Sequence, residues 1–167
     1  MVHKHLPSIK VKAVFSECLQ FRYCLTLTDL RKNSQRTVCV IMQNPSIADE
    51  QVADKSVQFL EKLIFYKNLA EFKQVGRILI VNQFARIQTR DFKGRSADIG
   101  KDNHAYLKNA ICSSDIVLIA WGKRNPFPER QEVILNLLRH VGEKVILSTK
   151  KHPSRGSYTD FIKPMLI

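Results

Sequence analysis

The residues best suited to chemistry in this chain fall in four short strings: QNPS (43–46), VNQF (81–84), WGK (121–123) and KKHPSRGS (150–157). His152 is the side chain among them whose ordinary charge change lies near neutral pH, and a neutral imidazole N–H is a ready hydrogen-bond donor. Asn44 and Asn82 carry amides, which donate and accept at once. Such a group can orient a water or match the edge of a nucleobase, but it cannot serve as a general base near neutral pH. Around His152 stand Lys150, Lys151 and Arg155, and Lys123 follows the WG pair. Cations at this density suit phosphates, with Ser154 and Ser157 adding neutral donors. A turn needs the proline and glycine of HPSRG; it needs neither the histidine nor the charge.

Each string ends an apolar run. TVCVIM (Thr37–Met42), RILIVN (Arg77–Asn82), DIVLIAWG (115–122) and EKVILST (143–149) are the near-continuous Val/Ile/Leu segments expected of strands covered on both faces. Amphipathic stretches lie between them. Val52, Val57, Leu60, Leu63 and Ile64 form one stripe in 49–69, with Asp49, Glu50 and Asp54 read as capping carboxylates that open the helix. A second helix is predicted in 103–115, and a third in 128–142, opening on Pro128 and closing on Gly142. Residues 13–30 read as one or two antiparallel edge strands. The predicted fold is α/β, one domain over residues 1–167, with a mostly parallel four-stranded central sheet flanked by helices and N-terminal antiparallel edge strands. Parallel strands bring their C-terminal loops to one edge, where open α/β sheets bind ligands. The four strings are therefore expected to meet.

Charge narrows the partner. Of 167 residues, 27 are Lys or Arg and 15 Asp or Glu, a net charge of +12 that calls for a polyanion, nucleic acid before an anionic membrane surface. No run approaches the ~20 apolar residues of a membrane span, and MVHKHLPSIK lacks the apolar core of a signal peptide, so a cytoplasmic protein is expected. Cys18, Cys24, Cys39 and Cys112 have no CxxC spacing and read as reduced, buried thiols, not as a metal site. No Walker loop, GxGxxG, HExxH or nucleophile elbow occurs, and neither cofactor nor metal is expected.

At successive strand ends and in this order, the four strings resemble the motifs of the uracil-DNA glycosylase superfamily. QNPS is similar to a first motif of the GQDPYH or GINPG type, ILIVNQF to an LLLN-type strand ending in a base-reading asparagine, IVLIAWG to a strand ending in Trp-Gly, and HPSRGS to the last motif. The chain also resembles a widespread bacterial family of unannotated domains sharing NPS…ADE, VN.F and AWG. The resemblance spans residues 43–157. It implies a uracil-DNA glycosylase-like fold and metal-independent hydrolysis of the N-glycosidic bond of a flipped deaminated or modified base. His152 would then hydrogen-bond the departing base oxygen and Asn44 would hold the water. Gln43, Ser46 and Asn82 would contact the base, and Phe84 would stack on it. Arg86, Arg90, Lys93, Arg95, Lys123, Lys151, Ser154, Arg155 and Ser157 would hold the nucleic-acid backbone. Tyr158 is a candidate wedge, with a buried tyrosine the plainer reading.

Two departures qualify that inheritance. Ser46 stands where the uracil-specific branch has a tyrosine that closes the pocket, so a larger or 5-substituted base fits. Asn44 gives a cationic sugar less electrostatic help than the aspartate of some relatives. The expected partner is DNA, single-stranded or carrying damaged or modified bases, bound by a monomer. The alternative is a non-catalytic module on the same scaffold that binds nucleic acid or a nucleotide.

Overall fold

A computed structural model describes residues 2–167. Seven strands, β1 (Ile9–Phe15), β2 (Arg22–Asp29), β3 (Thr37–Met42), β4 (Arg77–Asn82), β5 (Ile116–Ile119), β6 (Val145–Thr149) and β7 (Ile162–Pro164), form one sheet. Its order is β1-β2-β4-β3-β5-β6-β7. The pairings β3–β4, β3–β5 and β5–β6 are parallel, whereas β1–β2, β2–β4 and β6–β7 are antiparallel. The expected four-stranded, mostly parallel sheet is thus corrected to a seven-stranded mixed one. Both ends of the parallel set would otherwise expose unpaired backbone. β2 covers one end, Leu25 opposite Ile80, and carries β1 outside it. β7 covers the other, and its proline is tolerated because the strand lies at the edge.

Side chains alternate along β3. Val38, Val40 and Met42 enter one core with Leu60, Leu63, Ile64, Ile78, Ile80 and Leu118. Cys39 and Ile41 enter the other with Leu107, Ile111, Val117, Ile134 and Leu138. Period-two alternation into two apolar layers is why the strand reads as an unbroken apolar run. The first core is roofed by α1 (Lys55–Glu61), which continues as a π-helical turn, Lys62–Tyr66. The second is roofed by α2 (Asn103–Cys112) and α3 (Pro128–Arg139).

The start of α1 differs from expectation. Asp54 alone is its N-cap, the carboxylate accepting from the Val57 N–H at 2.8 Å. Asp49 and Glu50 stay in the preceding loop, where Asp49 accepts from the N–H groups of Gln51 and Val52, and Glu50 from that of Ala13. The thiols are corrected too: Cys24 and Cys39 are buried, whereas Cys18 and Cys112 are exposed. Among the described residues no helix is long and apolar enough to cross a membrane.

One topological fact positions the site. From β3 the chain goes to β4 on one side, and β5 returns to pair on the other. Loops leaving the carboxyl ends of β3 and β5 therefore diverge and leave a crevice beyond the sheet.

Candidate functional site

A cleft of about 910 Å³ occupies that crevice. The loop after β3 supplies Gln43, Asn44 and Ser46; the loop after β5 supplies Lys123; the loop after β6 supplies Lys151, His152, Ser154 and Arg155. Those eight sequence-predicted residues share one cavity. The loop before α1 adds Asp54 at its end, Lys55 and Ser56 open the helix, and the segment after β4 adds Gln88 and Thr89.

His152 caps the 3₁₀ turn Pro153–Arg155. Its Nδ1 accepts from the Ser154 backbone N–H at 3.2 Å and lies 2.9 Å from the Ser154 hydroxyl. A backbone N–H can only donate, so the proton of the neutral ring sits on Nε2, which is left as a hydrogen-bond donor. Burial pushes the imidazole below its ordinary value; Asp54 pulls it back up and Arg155 presses it down further. The ring is thus kept in the neutral state that can donate without carrying charge. Behind it lies Gly122, at φ +87°, where a Cβ would stand 3.2 Å from His152 Cβ. The Trp-Gly pair ends in glycine because the backbone is left-handed there and passes close to the histidine.

Across the cleft, Asn44 donates to the Gln88 carbonyl at 2.7 Å and accepts from the Gln43 amide at 3.1 Å. Asn125 in turn donates to the Gln43 side-chain oxygen at 3.1 Å. Asn44 therefore ties the loop after β4 to the end of β3, with one side-chain lone pair left for a water. Ser46 donates to the second oxygen of Asp54.

Two residues predicted to touch a base lie outside this lining. Asn82 is 1% exposed, and neither its amide nitrogen nor its amide oxygen has a partner. It sits beside Met42 in register, on the face that α1 covers, one strand further from the β3/β5 crevice. Phe84 is also 1% exposed, its ring edge-on to those of Phe92 and Phe127, at 5.2 and 4.8 Å between centroids. The convergence expected of Asn44, Asn82 and His152 is met by the first and third alone.

The remaining predicted residues are not among those lining the cavity. Arg90, Lys93 and Arg95 are exposed on the loop whose Gln88 and Thr89 form the cleft wall. Arg86 donates to Gln20 at 2.7 Å and lies over the Phe21 ring. Ser157 is exposed, its hydroxyl donating to the Thr159 carbonyl at 3.4 Å. Tyr158 stacks on Phe59 at 4.9 Å, under the Lys67 ammonium.

Sequence reasoning missed Arg22, Asp54, Lys55 and Ser56 as cleft residues, whereas Arg124, read from its place beside the WGK string as a phosphate-neutralising cation, does line the cavity. The signal for Arg22 was available: an arginine interrupts the apolar string LQFRYCLTL, and a charge inside such a string needs a reason. In all, seven cations line the cleft (Arg22, Lys55, Lys123, Arg124, Lys150, Lys151 and Arg155) against one carboxylate, Asp54. Such a cavity attracts anions.

Residues 22–155 match the family described as Protein of unknown function (DUF1643). No curated protein and no solved structure matches the chain.

Proposed function

The chain belongs to this family of unknown function, and we propose that its cleft binds nucleic acid through the phosphates and takes in one nucleotide beside His152, in the cytoplasm. The observation that carries this reading is the convergence of seven cations and one carboxylate on a cavity of about 910 Å³. That volume accommodates a nucleotide, and the positive lining complements the flanking phosphates. Exposed Arg90, Lys93 and Arg95 follow Gln88 and Thr89 on the same loop and add to the positive charge near them. The neutral donor within the cavity, the His152 Nε2–H, suits an uncharged oxygen of a base or sugar, while the Ser154 hydroxyl, donating to Nδ1, is left to accept.

The test is binding of short single- and double-stranded oligonucleotides followed by fluorescence anisotropy across a salt series. Affinity should fall steeply as salt rises, and Lys123→Ala, Lys151→Ala and Arg155→Ala should each lessen the slope by about 1 for each lost phosphate contact. Salt-independent binding, or none, defeats the proposal.

A second reading, hydrolysis of the N-glycosidic bond of a modified base, is favoured by the pairing of a neutral His152 donor with Asn44 in one cavity. The resemblance of the four strand-end strings to uracil-DNA glycosylase motifs supports it. His152 would stabilise charge on the leaving base and Asn44 would hold the attacking water. The sealed positions of Asn82 and Phe84 weigh against it, since neither can meet a base in this conformation. Incubation with oligonucleotides carrying uracil, hypoxanthine, xanthine or 5-modified pyrimidines, then alkali cleavage, decides. Strand breaks lost in His152→Ala support hydrolysis; tight binding with no breaks leaves the binding function alone.

A further inference from the structure

Arg22 is the least expected residue of the cleft. It opens β2, is 1% exposed, and lines the cavity. A guanidinium carries five N–H donors. Nη1 donates to the Ala48 carbonyl, whereas Nε is shut off from water and has no partner. Among the described residues no carboxylate lies within ion-pair distance of it. Burial pulls its pKa down to about 10, against the opposing pull of Asp54, Cys24 and Asp49. A buried cation in this state destabilises the fold that holds it, and an anionic ligand would supply the missing counter-charge.

The neighbours indicate which anion. Ser56 and Lys55 add donors to the same cavity lining. The one carboxylate, Asp54, already accepts from the Val57 N–H and from the Ser46 hydroxyl. A donor-rich floor with a forked guanidinium matches phosphate oxygens. An internal phosphodiester is flanked by sugars on both sides and cannot project to so deeply buried a side chain. A phosphomonoester projects from its strand and presents three free oxygens.

We infer that Arg22 receives a phosphomonoester at the floor of the cleft, either the terminal phosphate of a nucleic-acid strand or that of a free nucleotide. This deepens the nucleic-acid reading above and rests on it. The site selects strands by their ends: the rim lysines and arginines hold any backbone, and the floor distinguishes a phosphorylated terminus from a hydroxyl one.

The experiment compares one labelled oligonucleotide sequence with 5′-phosphate, 3′-phosphate and hydroxyl ends, binding to wild type, Arg22→Met and Arg22→Lys by anisotropy at fixed salt. Wild type should bind one phosphorylated form at least about tenfold tighter than the hydroxyl form. Arg22→Met should bind all three ends with equal affinity, and Arg22→Lys, charged but without the fork, should retain part of the preference. Without ligand, Arg22→Met should melt at or above the wild-type temperature, because it removes an unpaired buried charge. Competition by a nucleoside monophosphate, against the bare nucleoside, separates the two sources: displacement as effective as that by the phosphorylated strand assigns the site to free nucleotide.

Equal affinity for all ends in wild type, or a preference that survives Arg22→Met, overturns the inference while leaving strand binding intact. A large fall in the melting temperature of Arg22→Met, with no phosphate-dependent stabilisation of wild type, makes Arg22 a structural residue and overturns it equally. Absence of any strand binding, with wild type still stabilised by the nucleoside monophosphate, removes the nucleic-acid reading and keeps the phosphate site.

Discussion

Gly122 offers the sharpest test of how His152 is held. Replacing it with alanine adds one methyl group to a residue at φ +87°, where its Cβ would meet His152 Cβ at 3.2 Å and His152 N at 3.4 Å. Gly142 provides the control, because it too is left-handed, at φ +78°, but an added Cβ there meets nothing within 4 Å. Both substitutions incur the left-handed strain of roughly 1–2 kcal/mol, offset by roughly 0.4–1 kcal/mol of entropy taken from the unfolded chain. Gly142→Ala should therefore cost about 1 kcal/mol. Gly122→Ala adds the crowding against His152, at the low end of the 1–3 kcal/mol typical of overpacking because the loop can give, for a total of about 2 kcal/mol. At roughly 2–4 °C per kcal/mol for a chain of this size, melting should fall by about 3 °C and about 6 °C respectively. An NMR titration of the His152 ring supplies the second readout. Burial is the main cause of its lowered pKa, so a loop pushed outward regains water and the value climbs towards 6.5 in Gly122→Ala only. Equal melting losses in the two variants, together with an unchanged titration, would refute the claim that the Trp-Gly pair seats the histidine.

His5 and His152, both partly buried, should bend stability in opposite directions with pH. Burial lowers the pKa of His5, but its bonds to the Glu61 carboxylate and the Asp49 carbonyl outweigh that and leave it raised. Its contribution is thus full below pH 6.5 and fades as pH rises through the folded value, so His5→Gln should lose more stability at pH 6 than at pH 8.5 in thermal melts. His152, lowered by burial, contributes above pH 6.5 and loses that contribution as pH falls through its folded value, a loss His152→Gln should abolish. Asp54→Ala removes the cap of α1 and the partner of Ser46, at a cost of about 1 kcal/mol in denaturant unfolding. Thiol reagents should modify two cysteines of the native protein and all four after denaturation. Cys18 should react first, its pKa lowered chiefly by the Ser16 hydroxyl, while buried Cys39 stays inert.

The central strands were readable because each is covered on both faces, which writes an unbroken apolar run into the sequence. β7 left no such mark, being three residues long with a proline at its end. The placing of QNPS and HPSRGS at one cavity was readable because they follow those runs. Asn82 was misplaced for a reason the alternation itself contains: it shares parity with Ile78 and Ile80, both wholly buried, so its side chain was bound to face the core. Phe84 was drawn inward by Phe92 and Phe127, partners far enough along the chain that no local pattern links all three. Arg22 went unnoticed because its neighbours fit a strand so well.

Both walls of the cavity are fastened by distant parts of the polypeptide. His3 exchanges backbone hydrogen bonds with Ala53, at 3.0 and 2.8 Å, and His5 reaches Asp49 and Glu61. On the opposite wall the Lys150 N–H donates to the Phe161 carbonyl at 2.9 Å, just before β7 pairs with β6. During synthesis, then, the early residues must wait for their loop, and the His152 segment stays unclamped until residue 164 has left the ribosome. Contacts so remote in sequence form late, so a nascent chain holds a nearly finished sheet around an unformed cavity, whose walls close up only as the last strand docks.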